Sequence, residues 1–276
     1  MSIKEHGNTQ LKLERLVDLP SLPVLLLDAL QQTANNQNLT QLAEKIGQDP
    51  PMVAHILRII NSPFYGMPRE IASLREAIVL LGMNRVRDLL FSTCLMNSLP
   101  TQHKDFDYLF FWHHSLAVAN CARLLATHIG IGEDIAFTAG LLHDIGKLVI
   151  VLMFPTEYAL IAKEAKFISV VKERQLMGFD HVEIGSKVAQ HWNLPWVIQE
   201  AIEQHETLPS TEIISLGLLV YVANFLINTV EQNKTLALLE SEEGAKVLDR
   251  LSISIEELET CVNTSEQFAS QILSAL

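Results

Sequence analysis

Residues 135–154 read IAFTAGLLHDIGKLVIVLMF, an almost unbroken apolar run with one His-Asp pair at its middle. Pro155 closes the run, and its length is that of a helix rather than a strand. A helix that is apolar on every side belongs in a core, so one buried helix is expected over Ile135–Phe154. Burying an ionised carboxylate is expensive unless it is paired or bound to a cation. That makes His143-Asp144 the chemical focus of the chain. Imidazole and carboxylate together suit Mn, Fe or Zn. Consecutive helical residues point about 100° apart, so one metal can take both side chains, or two metals can share the Asp. The plainer alternative is a buried His-Asp hydrogen bond with no metal.

Outward from this run the chain reads as helices nearly throughout, and an all-α fold is expected. Toward the N-terminus, Leu22–Gln32 reads as an apolar-rich helix whose start is set by Pro20 and Pro23, and Thr40–Ile46 is a short amphipathic segment ending at Gly47. Asp49 caps a helix with Pro50 at its first position, running to about Asn61. NSPFYGMP (61–68) is a loop, with Phe64 and Tyr65 expected to pack on the core. Ser73 and Glu76 form a capping box for a helix that stops at Gly82. Met83–Leu99 follows, and Pro100 closes the segment. Toward the C-terminus, His114–His128 shows apolar faces at 3–4 spacing. Asp180 and Glu183 open a helix running to His191, and Pro195 starts the one that carries His205. The expected organisation is a mobile tail (1–14), an N-terminal helical lobe (15–100), a helical core (101–230) and a C-terminal helical extension (231–276).

Composition excludes several classes. The chain has 276 residues, 49% hydrophobic content and a net charge of −12. That is ample for a large core, and the acidic surface argues against broad binding to phosphate backbones. Cys94, Cys121 and Cys261 are far apart in sequence and read as reduced thiols that fill core space. The polar start MSIKEHGNTQ has no apolar h-region, so no secretory signal is expected. Ile213–Val230 is apolar but interrupted by Ser215, Asn224 and Asn228 and lacks basic anchors, so a core helix is expected there rather than a membrane span. The location expected is cytoplasmic.

Three further histidines sit on helical segments with apolar faces: His114, His181 and His205. A lone histidine is usually a packing or surface residue. Together with His143 and Asp144, however, they form the kind of inward-facing set from which helix bundles build metal sites. His113 competes with His114 by adjacency. His6, His55, His103, His128 and His191 read as surface or packing residues.

The residues from His114 to His205 resemble the HD superfamily of metal-dependent phosphohydrolases. His114, followed by Ser-x-x-Val-Ala, matches the first family ligand, and His143-Asp144 the defining pair. Lys147 matches the lysine of the His-Asp-x-Gly-Lys run, which implies phosphate contact. His181, in His-x-x-x-Gly, and His205 look like the extra histidines of the cyclic-di-GMP-cleaving branch. The resemblance implies His114, His143, Asp144, His181, His205 and Asn224 as metal ligands, one or two divalent ions (Fe, Mn or Zn), and Asp144 and Lys147 as the catalytic pair. No other cofactor is implied. Two departures stand out: Asn224 replaces the last family aspartate, and no Gly-Tyr-Pro loop follows His205. Both argue against cyclic-di-GMP cleavage.

The first hundred residues carry the more specific resemblance. Leu19-Pro-Ser-Leu-Pro23, Asp49-Pro50, Leu57-Arg58, Asn61-Ser-Pro-Phe-Tyr-Gly66, Ser73-Leu74 and Ala77-Ile-Val-Leu-Leu-Gly82 look like the HDOD signature, over roughly residues 15–210. This implies an HD-like bundle with an N-terminal helical lobe and a regulatory role in bacterial signalling, with weak or no catalysis. The partner implied is a signalling protein of kinase or cyclase type or a small phosphorylated ligand; a homodimer also fits. The alternative is a metal-dependent phosphohydrolase acting on a nucleotide or phosphoester. DNA binding is a third reading, because Leu42-Ala43 through Gly47 has helix-turn-helix spacing. The segment PPMVAHILRII that would be the reading helix is too apolar to face a groove, so no nucleic-acid partner is expected. Arg69, Arg75, Arg85 and Arg87 read as a solvated face, with a small anionic-ligand patch as the alternative.

Overall fold

The computed structural model describes residues 19, 50–99, 103–162, 168–209, 214–232, 245 and 250–275. The expected tail, the helices Leu22–Gln32 and Thr40–Ile46, and the first half of the helix-turn-helix spacing lie outside the described residues. What is described is all-helical, with no strand. In chain order the helices are α1 (Pro50–Ile60), α2 (Leu74–Leu81), α3 (Met83–Ser98), α4 (Tyr108–Ile129), α5 (Glu133–Leu142), α6 (Ile145–Met153), α7 (Pro155–Ile161), α8 (Val170–Met177), α9 (His181–His191), α10 (Trp196–Gln204), α11 (Leu216–Glu231) and α12 (Ile255–Ala275).

Several ends follow from local chemistry. Ser73 caps α2 by accepting from Glu76 N, and Glu76 returns the bond to Ala72 N, both at 3.2 Å. Gly82 then takes φ +84°, which a side chain would resist. Asp180 caps α9, accepting from Glu183 N at 2.8 Å. α4 begins six residues before the expected His114, because Asp107 accepts from Phe110 N at 3.0 Å and caps it there.

The expected single helix over 135–154 is instead two. α5 ends at Leu142, α6 starts at Ile145, and His143-Asp144 form the turn between them. His143 Nδ1 donates to Gly140 O at 2.6 Å. That occupies the carbonyl an unbroken helix would offer to Asp144 N–H. By length and composition Glu133–Met153 is apolar enough to cross a membrane, but 83% of its apolar 18-residue stretch is buried inside the fold. α11, the other apolar stretch, is likewise a core helix.

α4 is the central post, with α5, α11 and α12 packed around it. Gly140 makes the α4–α5 crossing close: a Cβ there would lie 2.7 Å from Ala119 Cα. α12 contributes to the core. Phe268 on α12 contacts Phe64 and Phe137 at centroid distances of 5.6 and 6.0 Å, and Arg58 Nη1 on α1 donates to Ala275 O at 2.8 Å. The 61–68 loop packs as expected, and Asn61 pins it by bonding both N (2.7 Å) and O (2.9 Å) of Ile71.

One arginine departs from expectation. Arg87 is buried, 2.7 Å from Asp88 and 3.0 Å from Asp134. Asp88 also takes Arg123 of α4 at 3.2 Å, and Arg123 stacks over Phe137 and Phe268. This buried chain of charges ties α3 to α4 and α5 across the expected boundary at residue 100. Periodicity alone could not place Arg87, because one of its partners, Asp134, lies on another helix. The three cysteines are buried and unbridged.

Candidate metal centre

Four histidines and one aspartate converge where α4, the α5–α6 turn, α9 and the end of α10 meet. Each imidazole is held by its Nδ1. His143 and His205 sit one residue past a helix end, where the last carbonyls lack backbone partners, and each donates to the carbonyl three residues earlier. These are Gly140 O at 2.6 Å and Ile202 O at 2.7 Å. His114 Nδ1 lies 2.9 Å from Glu231 Oε2, and His181 Nδ1 lies 2.7 Å from Glu173 Oε2. Glu173 also accepts the His181 backbone N–H at 2.8 Å, fixing the first turn of α9.

With every Nδ1 engaged, the four Nε2 atoms face inward in two pairs. His114 and His143 stand 3.2 Å apart, and His181 and His205 stand 3.1 Å apart. Asp144 lies between the pairs. Its Oδ2 is 3.6 Å from His114 Nε2 and 3.5 Å from His143 Nε2; its Oδ1 is 3.4 Å from His181 Nε2 and 3.3 Å from His205 Nε2. The result is two trios sharing one carboxylate, with the ligand atoms of each trio within 4.8 Å of one another.

The glycines of the two motifs explain how α6 and α9 come this close. A Cβ on Gly146 would sit 1.9 Å from His181 O and 2.7 Å from Gly185 N. Only a residue without a side chain lets α9 lie against the turn that carries Asp144.

The electrostatics suit a cation. Burial pushes the His143 imidazole well below its usual range, so it is neutral with the proton on Nδ1 and a lone pair on Nε2. Burial would raise the Asp144 carboxyl, but Lys147 and then His143 hold it well below the usual carboxylate range. Asp144 Oδ1 is enclosed and makes no well-aligned hydrogen bond. Opposed lone pairs around an orphaned carboxylate oxygen are the arrangement a bound divalent ion relieves. Without an ion, the cluster keeps a proton instead: burial and Lys147 push His181 down, but Glu173 and Glu206 raise it to about 9. The donor set therefore fits Mn, Fe or Zn.

A cavity of about 690 Å³ opens onto the cluster. Lys147 stands at its floor, with Nζ 2.6 Å from Asp144 Oδ2 and the side chain 35% exposed. Burial opposes its charge, but Asp144 and Glu206 hold it above the ordinary lysine range. Phe110, Tyr158, Tyr221 and Phe225 line the apolar walls, and Asp105 and Asp107 belong to the same lining.

Of the expected ligands, the structure brings His114, His143, Asp144, His181 and His205 together, with Lys147 beside them. Asn224 lines the cavity, and its Oδ1 accepts from Asn228 Nδ2 at 2.7 Å. Its Nδ2 reaches His205 O at 3.3 Å and Glu206 Oε1 at 3.5 Å. The carboxylate nearest that edge belongs to Glu206, whose Oε1 is 3.7 Å from His181 Nε2 and 3.8 Å from His205 Nε2. Burial raises the Glu206 carboxyl, yet His181 and then His205 bring it down to about 2. His113 turns away from the cluster. Sequence reading missed Glu173, Glu206 and Glu231. Glu206 adjoins a motif histidine and was open to notice, but Glu173 and Glu231 carry no local signal and reach their histidines only through the fold.

The HDOD domain profile matches residues 19–208. An uncharacterised Treponema pallidum protein is 29% identical over 203 residues, 71% of this chain, which spans 39% of that protein. Among solved structures, an HDOD domain protein of unknown function from Geobacter sulfurreducens superposes with a TM-score of 0.79 at 24% identity, covering 98% of this chain and 99% of that one. A Shewanella amazonensis protein provisionally named a phosphohydrolase gives a TM-score of 0.73 at 26% identity, covering 95% and 97%.

Proposed function

The chain belongs to the HDOD family, and on that footing we propose that it is a cytoplasmic regulatory protein whose centre holds two divalent cations and hydrolyses a small phosphoester. One observation carries the reading: the two oxygens of Asp144 each face a separate pair of imidazole Nε2 atoms. His114, His143 and Asp144 would hold one ion, and Asp144, His181 and His205 the other. Bound there, such ions would supply Lewis-acid charge and would make a water molecule easier to deprotonate.

The chain's own residues do the rest. Lys147 keeps its proton beside Asp144 and presents a charge to a phosphoryl oxygen entering the cavity. Phe110, Tyr221 and Phe225 exclude water and offer flat faces to the organic part of a ligand. Asp105 and Asp107 repel long polyanions and favour a compact ligand over a nucleic-acid strand. Glu206, ionised and 31% exposed, supplies a carboxylate at the edge where Asn224 has none to give.

The second reading is a signalling module that binds a ligand, or a partner of kinase or cyclase type, without turnover. Asn224 favours it, since a neutral amide with its oxygen engaged adds no charge to the site. Hydrolysis of bis(4-nitrophenyl) phosphate with added Mn²⁺ separates the two. Turnover that needs metal and vanishes in His143→Ala supports the hydrolase, and a flat result across Mn²⁺, Fe²⁺ and Zn²⁺ leaves only the binding module.

A further inference from the structure

Behind His114, where Glu231 at the rim of the cavity meets α12, a second group of ligand-type side chains converges. Consecutive helical residues point about 100° apart, so His113 turns toward α12 while His114 faces the centre. Glu231, at the end of α11, stands between them. Its Oε2 lies 2.9 Å from His114 Nδ1, and its side chain is only 6% exposed. Its Oε1 is buried and has no hydrogen-bond partner among the described residues. Glu266 of α12 approaches from the other side, with Oε2 4.0 Å from His113 Nε2 and Oε1 likewise buried and unpartnered among the described residues. Ser270, one turn further on, places Oγ 3.1 Å from His113 Nε2. The ligand atoms of His113, Glu231 and Glu266 lie within 4.8 Å of one another.

Two carboxylates this close repel each other, and a buried acceptor left without a donor is costly. Among the described residues neither carboxylate pairs with a lysine or arginine. We propose that His113, Glu231 and Glu266 form a third cation site, separate from the two trios, for a divalent transition ion of the Mn²⁺, Fe²⁺ or Zn²⁺ class. The imidazole and two carboxylates supply three ligand atoms, and Ser270 Oγ stands beside them. His113 and Glu266 are 23% and 29% exposed, so this ion exchanges with solvent more readily than ions in the enclosed trios. Glu231 links the sites. An ion on its Oε1 weakens its Oε2 as acceptor for His114 Nδ1, and so tunes the donor strength of His114.

The test is metal content after equilibrium dialysis of the full chain against Mn²⁺, for the wild type, Glu266→Gln, His113→Gln and His143→Ala. Glu266→Gln is isosteric and partly exposed, and circular dichroism checks that each variant is folded. The expected result is one equivalent fewer in Glu266→Gln and His113→Gln, with that equivalent kept in His143→Ala. Wild-type metal content in both outer variants overturns the site. This outcome is independent of the proposed function, because loss in His143→Ala alone sinks the third site and spares the hydrolase centre. Loss in the outer variants alone does the reverse.

Discussion

Replacing Gly146 by alanine tests whether the close approach of α6 and α9 assembles the centre. The new Cβ would stand 1.9 Å from His181 O, whereas ordinary contact begins near 3.4 Å. The two helices must therefore part by about 1.5 Å, the difference between those distances. His181 is the first residue of α9 and moves with it, while Asp144 stays on the α5–α6 turn. Metal–ligand bonds tolerate about 0.2 Å, so the trio of Asp144, His181 and His205 loses its geometry. The expected loss of affinity is at least that of removing an outer partner, about 10–100-fold. Overpacking itself costs about 1–3 kcal/mol, which at roughly 2–4 °C per kcal/mol lowers Tm by about 2–12 °C. Thermal unfolding with and without Mn²⁺, beside metal analysis, reads both effects. Gly132→Ala is the control, since its Cβ would meet only Ile135 Cγ2 at 3.5 Å. A Gly146→Ala protein with wild-type Tm and full metal content would refute the reasoning.

Glu173→Gln removes the carboxylate that orients His181 through Nδ1; Mn²⁺ affinity should fall about 10–100-fold with little change in fold, and calorimetric titration that finds equal affinity contradicts the role. The His181 proton, held to about 9 without metal, must leave when an ion binds. Affinity should therefore rise about tenfold per pH unit from neutrality and flatten above about 9; a pH-independent affinity would show that no such proton is displaced. The same raised pKa stabilises the metal-free fold fully below the ordinary value of 6.5, and this contribution disappears as pH rises through about 9. Asp88→Ala strands Arg123, whose other contacts are Asn120 and two aromatic faces. Urea unfolding should show a loss of about 3 kcal/mol, and a loss under 1 kcal/mol would mean the charges are solvated after all.

The sequence by itself determined the helical class, many helix ends, the family and the five side chains (His114, His143, Asp144, His181 and His205) that converge at the centre, because these are written in local patterns. Capping residues satisfy donors within three residues, and apolar periodicity marks buried faces wherever they pack. His143-Asp144 was conspicuous because a charged pair in an apolar run needs a partner. Only the tertiary structure decided the rest. It broke the 135–154 helix at that pair, since the bond from His143 Nδ1 to Gly140 O competes with the backbone ladder. It buried Arg87, whose partner Asp134 comes from another helix. It turned the oxygen of Asn224 to Asn228 and brought Glu206 to that edge. Glu173 and Glu231 meet their histidines across 8 and 117 residues of chain. No local pattern encodes such meetings, because they depend on how closely whole helices approach, and that approach is set by glycines such as Gly146 whose meaning appears only when the facing helix is in place.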